Sequence, residues 1–510
     1  MAIPSVQPVA AQTTPSALQL LQTATGNIGD VTPEQRWAFN ATAGQRLSVR
    51  MQATSGSLEP ALELLDASGK LLATGRVASL RNATIDAFPI PKTATYTIRA
   101  TRSSGLTSGA YAVTVLPGFS YLLLNNPGSA NTPFHLWSDP TAVAHFADGR
   151  LELQLVAENA ITYSATVDRF GIYQDLYVQA TAHPKVPNTY WQAGLLFRAA
   201  KRDGAIQFYV FFINSDGKWK VAISQPTGLK AIQDWTALPD KPQADATIGV
   251  LVKGNTFTPF YNGQSLGDLT DNTFADGGAF GVAVGTSAAP NNNTQVQFDN
   301  VLVTLPADES ANAPIVIPDK LASWQRTEDA ILAELQQTHL VPNGGKLGLE
   351  LKDKAFATNN GALGIQYQPL AESMSFTDLV YSADVTWESS NDNVGCALEL
   401  RAADDNNFTI VYLDRKGGYG FRQVSAKDSK DSAPPMYYNL SDAIIKANKG
   451  TNRVTVVALG NSLIVYINGT LVVTSNVRQI AGGVRIAAYN YQQASSLCQF
   501  TNLWLRSYDS

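Results

Sequence analysis

The chain has 510 residues, 45% of them hydrophobic and 15% charged, with 38 glycines, 25 prolines and a formal net charge of −5. That length exceeds what one core supports, so roughly three or four domains are expected. Many apolar residues exclude a disordered chain, the lack of a basic cluster excludes nucleic acid as a partner, and no apolar run approaches the ~20 residues of a membrane span.

In chain order, residues 1–24 read as a flexible segment or the remnant of an export signal. They carry no charged side chain, and Val9-Ala10-Ala11 before Gln12 looks like the small-residue end of a signal peptide without its positive start. An extracellular or cell-surface location is expected.

Residues 25–117 read as short strands. "RWAFNA" alternates with Trp37 and Phe39 on one side, "QRLSVRMQA" places Leu47, Val49 and Met51 on one face, and "PALELLDASGKLLATG" folds back at Ser68-Gly69. With "ATYTIRA" and "GAYAVTVL" they make a small β-sandwich. The landmarks Gly44-Gln45, Leu62 through Gly69, Tyr96, and Gly109 with Tyr111 resemble the bacterial pre-peptidase C-terminal domain, with Ala94 where that family usually has Gly. The resemblance implies an accessory module of secreted proteins.

Two further stretches, 118–305 and 319–510, repeat one order of landmarks around a Pro- and Ala-rich linker at 306–318. "GLLFRAA", "QFYVFFINSDGKW", "FYNG" and "QFDNV" in the first answer to "ALELRAA", "NFTIVYLDRKGGY", "YING" and "QFTNL" in the second. The offset is 203 at Arg-Ala-Ala, 206 at Asn-Gly and 202 at Gln-Phe. The one helical signal is "TEDAILAELQQ", with Ile331, Leu332 and Leu335 at helical spacing and Thr327 as the cap, expected across the entry to the second copy. Asn262-Gly263 and Asn468-Gly469 read as tight hairpin turns. The expected fold class is all-β: three consecutive β-sandwich domains, the last two a duplicated jelly roll.

Each copy resembles the concanavalin-A-like jelly roll of laminin-G and lectin modules, closest in flavour to the 3-keto-disaccharide hydrolase domain. The carriers are Gly194 through Arg198, the aromatic strand after it, and the closing Phe-Asp-Asn-Val, where Thr501 replaces Asp299 in the second copy. The resemblance implies sugar binding on a concave sheet. Alternation in 207–213 then assigns Phe208, Val210 and Phe212 to the core and Tyr209 and Phe211 to the concave face, with Arg198 and Trp219 nearby. Arg401 is the counterpart of Arg198. Calcium is the candidate ion for such modules, with Asp268 and Asp271, or Asp404 and Asp405, as oxygen ligands. Cys396 and Cys498 are either bridged or a buried free pair.

The paired carboxylates of a glycosidase strand are missing, since Glu388 and Asp392 in "TWESSND" have the wrong spacing. No nucleophile elbow, zinc-protease motif or Walker loop occurs. The expected function is a secreted or surface, non-catalytic adhesion or carbohydrate-binding protein, with glycans or other surface proteins as partners. The alternatives are a self-associating fibre subunit, whose "SALQLLQTATG" adds as a strand to a neighbour, and a divergent glycoside-processing enzyme.

Overall fold

The computed structural model describes residues 14–509, leaving out 80, 106, 127, 129–132, 186–189, 243, 288–293, 307–315, 352–355, 361–363, 371–373, 389–393, 426–436 and 491–495. The tripeptide Val9-Ala10-Ala11, most of the linker and Asp392 therefore lie outside the described residues. What is described is an all-β chain of six sheets.

Two five-stranded sheets share the first core, filled by Phe39, Leu47, Val49, Met51, Leu62, Ile98 and Val113. Period-two alternation puts these side chains inward because each sheet has one wet face. One sequence expectation fails here. "SALQLLQTATG" is not a free arm: Ser16–Ala17 pairs in parallel with Trp37 and Ala38, and Thr23–Ile28 pairs with Gly109–Pro117. Leu18 is buried in the core. Its apolar side chain gains more from its own sandwich than from solvent, so the segment offered for donation to a neighbour is already paired in cis.

The two copies fold alike. In the first, the larger sheet runs Thr294–Leu305, Leu176–Pro184, Ala246–Lys253, Thr256–Tyr261; the second runs Ser496–Ser507, Leu379–Glu388, Thr451–Leu459, Ser462–Ile467. The six-stranded sheets match too. Ile161–Ala165, Ala279–Gly285, Gln192–Arg202, Ala205–Asn214, Lys218–Gln225 and Gly228–Ala237 answer to Gly364–Pro369, Gly483–Asn490, Val394–Asp404, Asn407–Asp414, Gly418–Val424 and Tyr437–Leu440. Asn262 and Asn468 take φ of 47° and 49°, followed by Gly263 and Gly469 at 81° and 76°. Successive positive φ values are those of a primed hairpin turn.

Cys396 on the smaller sheet and Cys498 on the larger are joined by a disulfide, with 5.7 Å between their Cα atoms. The helix spans Glu328–Gln337. Thr327 has the extended backbone of an N-cap, but its side chain makes no capping hydrogen bond. Ile331, Leu332 and Leu335 pack with Val380, Val457, Ile464, Tyr466 and Trp504, so the helix covers the outer face of the larger second sheet. No helix among the described residues is long and apolar enough to cross a membrane.

The copies are joined at a sheet edge. Leu136 N–H donates to the Thr474 carbonyl at 2.9 Å, and Thr474 Oγ1 donates to the Phe134 carbonyl at 2.6 Å. Asn476 N–H donates to His135 Nδ1 at 2.9 Å, which requires that nitrogen to be unprotonated. Thr470–Asn476 is thus an edge strand covered by the other copy rather than left open. Loss of hydration lowers the His135 pKa to about 4, below the ordinary value. Since the separated copies would protonate His135 first, the seam is intact above about 6.5 and weakens as pH falls toward 4. The protection factors of the amides at 134–136 and 470–476, taken relative to intrinsic exchange at each pH, are expected to fall over that window, and unchanged protection factors would refute the assignment. Separately, reducing the disulfide, whose partners are 102 residues apart, should destabilise the second copy by about 2–5 kcal/mol, measured by chaotrope unfolding with and without reductant.

Candidate functional site

Alternation alone leaves both faces of Ala205–Asn214 apolar, and the structure reverses the assignment made from sequence. Tyr209, Phe211 and Ile213 point into the main core with Leu195, Phe197, Val221 and Ile223. Phe208, Val210 and Phe212 lie on the outer face with Leu196, Ala222 and Ala283. The register explains why. Phe212 pairs with Lys220 and Ile213 with Trp219, so Phe212 shares a face with a lysine and Ile213 with an indole that must be buried.

The expected sugar ligands are therefore structural. Tyr209 and Phe211 are 0% exposed, Trp219 packs edge-on against Phe211, and the Tyr209 hydroxyl donates to Asp271 at 2.7 Å. Arg198 and Arg401 are also buried. Each stands at a bulge in its strand with positive φ, 51° and 53°, which turns its guanidinium inward beneath the loops at one end of the copy. Arg198 donates to the carbonyls of Gln174, Phe274 and Gly254. Arg401 donates to those of Thr377 and Gly460 at 2.7 and 2.8 Å, and reaches Arg478 at 3.4 Å. Asp175 and Asp378 complete each staple, accepting from Gly254 N–H and Gly460 N–H at 2.8 Å.

The acidic pairs are also committed. Asp268 accepts from Thr258 at 2.6 Å, and Asp271 from Thr273 N–H as well as Tyr209. Asp404 closes a turn, accepting from Asn406 N–H at 2.7 Å and Asn407 at 2.8 Å. Asp405 takes the Tyr367 hydroxyl at 2.6 Å and Arg485 at 3.1 Å. No group of three or more His, Cys, Asp or Glu side chains that could hold a metal ion occurs among the described residues.

On the outer face of the first copy's six-stranded sheet the apolar floor is itself buried, with Leu196, Val210 and Phe212 at 0% and Phe208 at 2% exposed, and what stays open is the rim beside it. A groove of about 520 Å³ runs there between Asn159, Ile161 and Gln192 on one side and Phe212, Lys220 and Trp235 on the other. Tyr163 packs edge-on over Phe208 at 4.7 Å and closes one end of the apolar floor. Trp235 stands half-buried on the edge strand Gly228–Ala237, its indole 5.9 Å from Lys220 Nζ, and Lys220 reaches Asp234 at 3.5 Å. An indole wall beside a rim of amide, ammonium and carboxylate can hold a flat apolar surface edged with hydroxyls. Sequence reasoning missed Trp235 because "GLKAIQDWTA" carries no repeat landmark. The alternation of Lys218–Gln225 gave the available signal, since Lys220 and Ser224 mark the wet face.

No family model matches the chain, and no curated protein does. Among solved structures, a carbohydrate-binding module from Bacillus subtilis is 18% identical over 32% of this chain and 92% of its own, with a TM-score of 0.24. The pre-peptidase C-terminal domain of a Bacillus anthracis collagenase is 15% identical over 22% and 99%, with a TM-score of 0.18. A galectin-like protein from Bacillus subtilis is 15% identical over 36% and 96%, with a TM-score of 0.27. At such scores these likenesses carry no argument about the site, which rests on its own residues.

Replacing Arg198 or Arg401 by Met is expected to destabilise its own copy by about 3 kcal/mol or more, because buried carbonyls lose their donors. Lysine should not restore the loss, having one point charge for three loops. Urea unfolding followed copy by copy checks this, and a loss below about 1 kcal/mol would contradict it.

Proposed function

We propose that this protein is a secreted or surface-attached, non-catalytic carbohydrate-binding adhesion protein, and that the groove over Trp235 holds its glycan. The observation that carries the reading is the half-buried indole set beside Lys220, Gln192 and Asn159 in one groove. A pyranose offers an apolar C–H face to the ring and a rim of hydroxyls to the polar groups, so one wall of each kind suits it. The buried inter-sheet disulfide supports export, since such bridges persist in oxidising compartments.

Trp235→Ala is expected to weaken glycan binding about tenfold or more while leaving the unfolding midpoint nearly unchanged, because the side chain adds to a face and not to the core. Glycan-array hits followed by calorimetry on both proteins make the comparison. Equal affinity for the two would remove the groove from the reading.

A further inference from the structure

One row of side chains crosses the outer face of each six-stranded sheet, and the pairing register fixes its order. In the first copy it runs Tyr163, Ala283, Gly194, Phe212, Lys220. In the second it runs Tyr367, Ala487, Ala397, Tyr412, Gly420. Aromatic and small residues recur place by place until the last position, where an ammonium stands in one copy and a glycine in the other. The sheet itself therefore makes no demand for a cation at that place.

The cation opens onto the groove over Trp235. Lys220 and Trp235 both line it, with the ammonium 5.9 Å from the indole centroid and the lysine side chain 17% exposed. The other polar lining residues are Asn159, Gln192, Ser224 and Thr286, and no carboxylate is among the described residues that line it. Two of these groups spend donors within the protein. Gln192 Nε2 donates to the Tyr190 hydroxyl and the Thr286 carbonyl at 3.1 and 3.4 Å, and the Thr286 hydroxyl donates to the Ala157 carbonyl at 2.6 Å. Lys220 is held more loosely. Its ionic partner Asp234 is 3.5 Å away and 78% exposed, and the same carboxyl oxygen accepts the Trp235 N–H at 2.9 Å. An exposed pair at that distance is weak, and an ammonium with three donors keeps two for a ligand.

A neutral pyranose offers its C–H face to the indole and its hydroxyls to the amides, and it makes no use of a positive charge. A sugar acid adds a carboxylate or sulfate at the rim of the ring. Its hydrogen bond to an ammonium is charge-assisted and about twice as strong as a neutral one.

We propose that the groove over Trp235 selects an acidic sugar, a pyranose whose carboxylate or sulfate pairs with Lys220 while its ring rests on the indole. This rests on the reading of the groove as a glycan site and adds the charge of the ligand. The second copy, with Gly420 at the matching place, lacks the cation.

The test is calorimetry on the full chain at low ionic strength. The probes are short oligosaccharides of galacturonic, glucuronic and mannuronic acid, each beside its neutral methyl ester, and 6-O-sulfated galactobiose beside galactobiose. At least one acid should bind about tenfold more tightly than its neutral partner, and the gap should shrink in about 0.5 M salt. Lys220→Met, which keeps the apolar stem, should abolish the gap with the unfolding midpoint retained, and Lys220→Arg should keep it. The uronate and sulfate arms tell which acid is taken. Equal affinity of every acid and its neutral partner, or a gap that survives Lys220→Met, overturns the proposal and leaves a neutral glycan in the groove. Absence of binding by both forms of every pair overturns the proposal and the glycan reading together.

Discussion

A buried arginine at a strand bulge organises each copy. A guanidinium has five donors in a fixed plane, and no other side chain can satisfy carbonyls from three loops at once. Arg198 and Arg401 do this from equivalent positions, with the same left-handed backbone and the same aspartate partner. The loop before the central strand, the hairpin turn of the larger sheet and the loop leading into Ala279–Gly285 or Gly483–Asn490 are thereby tied to one point. Taking that group out of water is costly, which makes the staple a reason for the loops' conformation and a poor place for ligand chemistry.

With the frame held this way, the faces are free to differ. Both copies bury alternating apolar side chains between two sheets, and the second adds a disulfide across them. The outer faces share no such requirement. One has an apolar floor with an indole at its edge; the other sets a carboxyl beside Arg485. Duplication followed by divergence on the unconstrained side gives one protein two surfaces of unlike chemistry. Contacts between the modules hold these surfaces in place. Ala87, Phe119, Tyr177, Leu251, Phe260 and Leu302 form one apolar cluster, while the seam at His135 joins the copies.

The repeat was legible because its landmarks are backbone requirements. Asn-Gly supplies positive φ, Arg-Ala-Ala marks the bulge, and Asp175 and Asp378 receive a turn amide. The site was not legible from the same landmarks, since what repeats is what the fold needs. Facing was misread for a definite reason: every side chain of 207–214 is buried, so alternation there contains no polar signal. The neighbouring strands contain it. Lys220 and Ser224 alternate with Trp219, Val221 and Ile223, and Arg422 alternates with Tyr419 and Phe421. Counting back through the turn would have put Phe212 and Ile410 outside. Glu399 stood in view within "ALELRAA", but only the fold shows it buried beside Arg485 at 3.6 Å. The N-terminal strand was hidden by its neighbours in sequence, which carry no charge or period to mark where pairing begins.

The central claim is that ligand chemistry sits on the outer faces of the six-stranded sheets and that the buried aromatic and arginine landmarks are framework. A crystal structure of the full chain with an oligosaccharide chosen from array hits tests it most directly. The account predicts sugar density against Trp235 on the outer side of the first copy's six-stranded sheet. Density lodged against the larger sheets, or on the first sandwich with both outer faces empty, would contradict it.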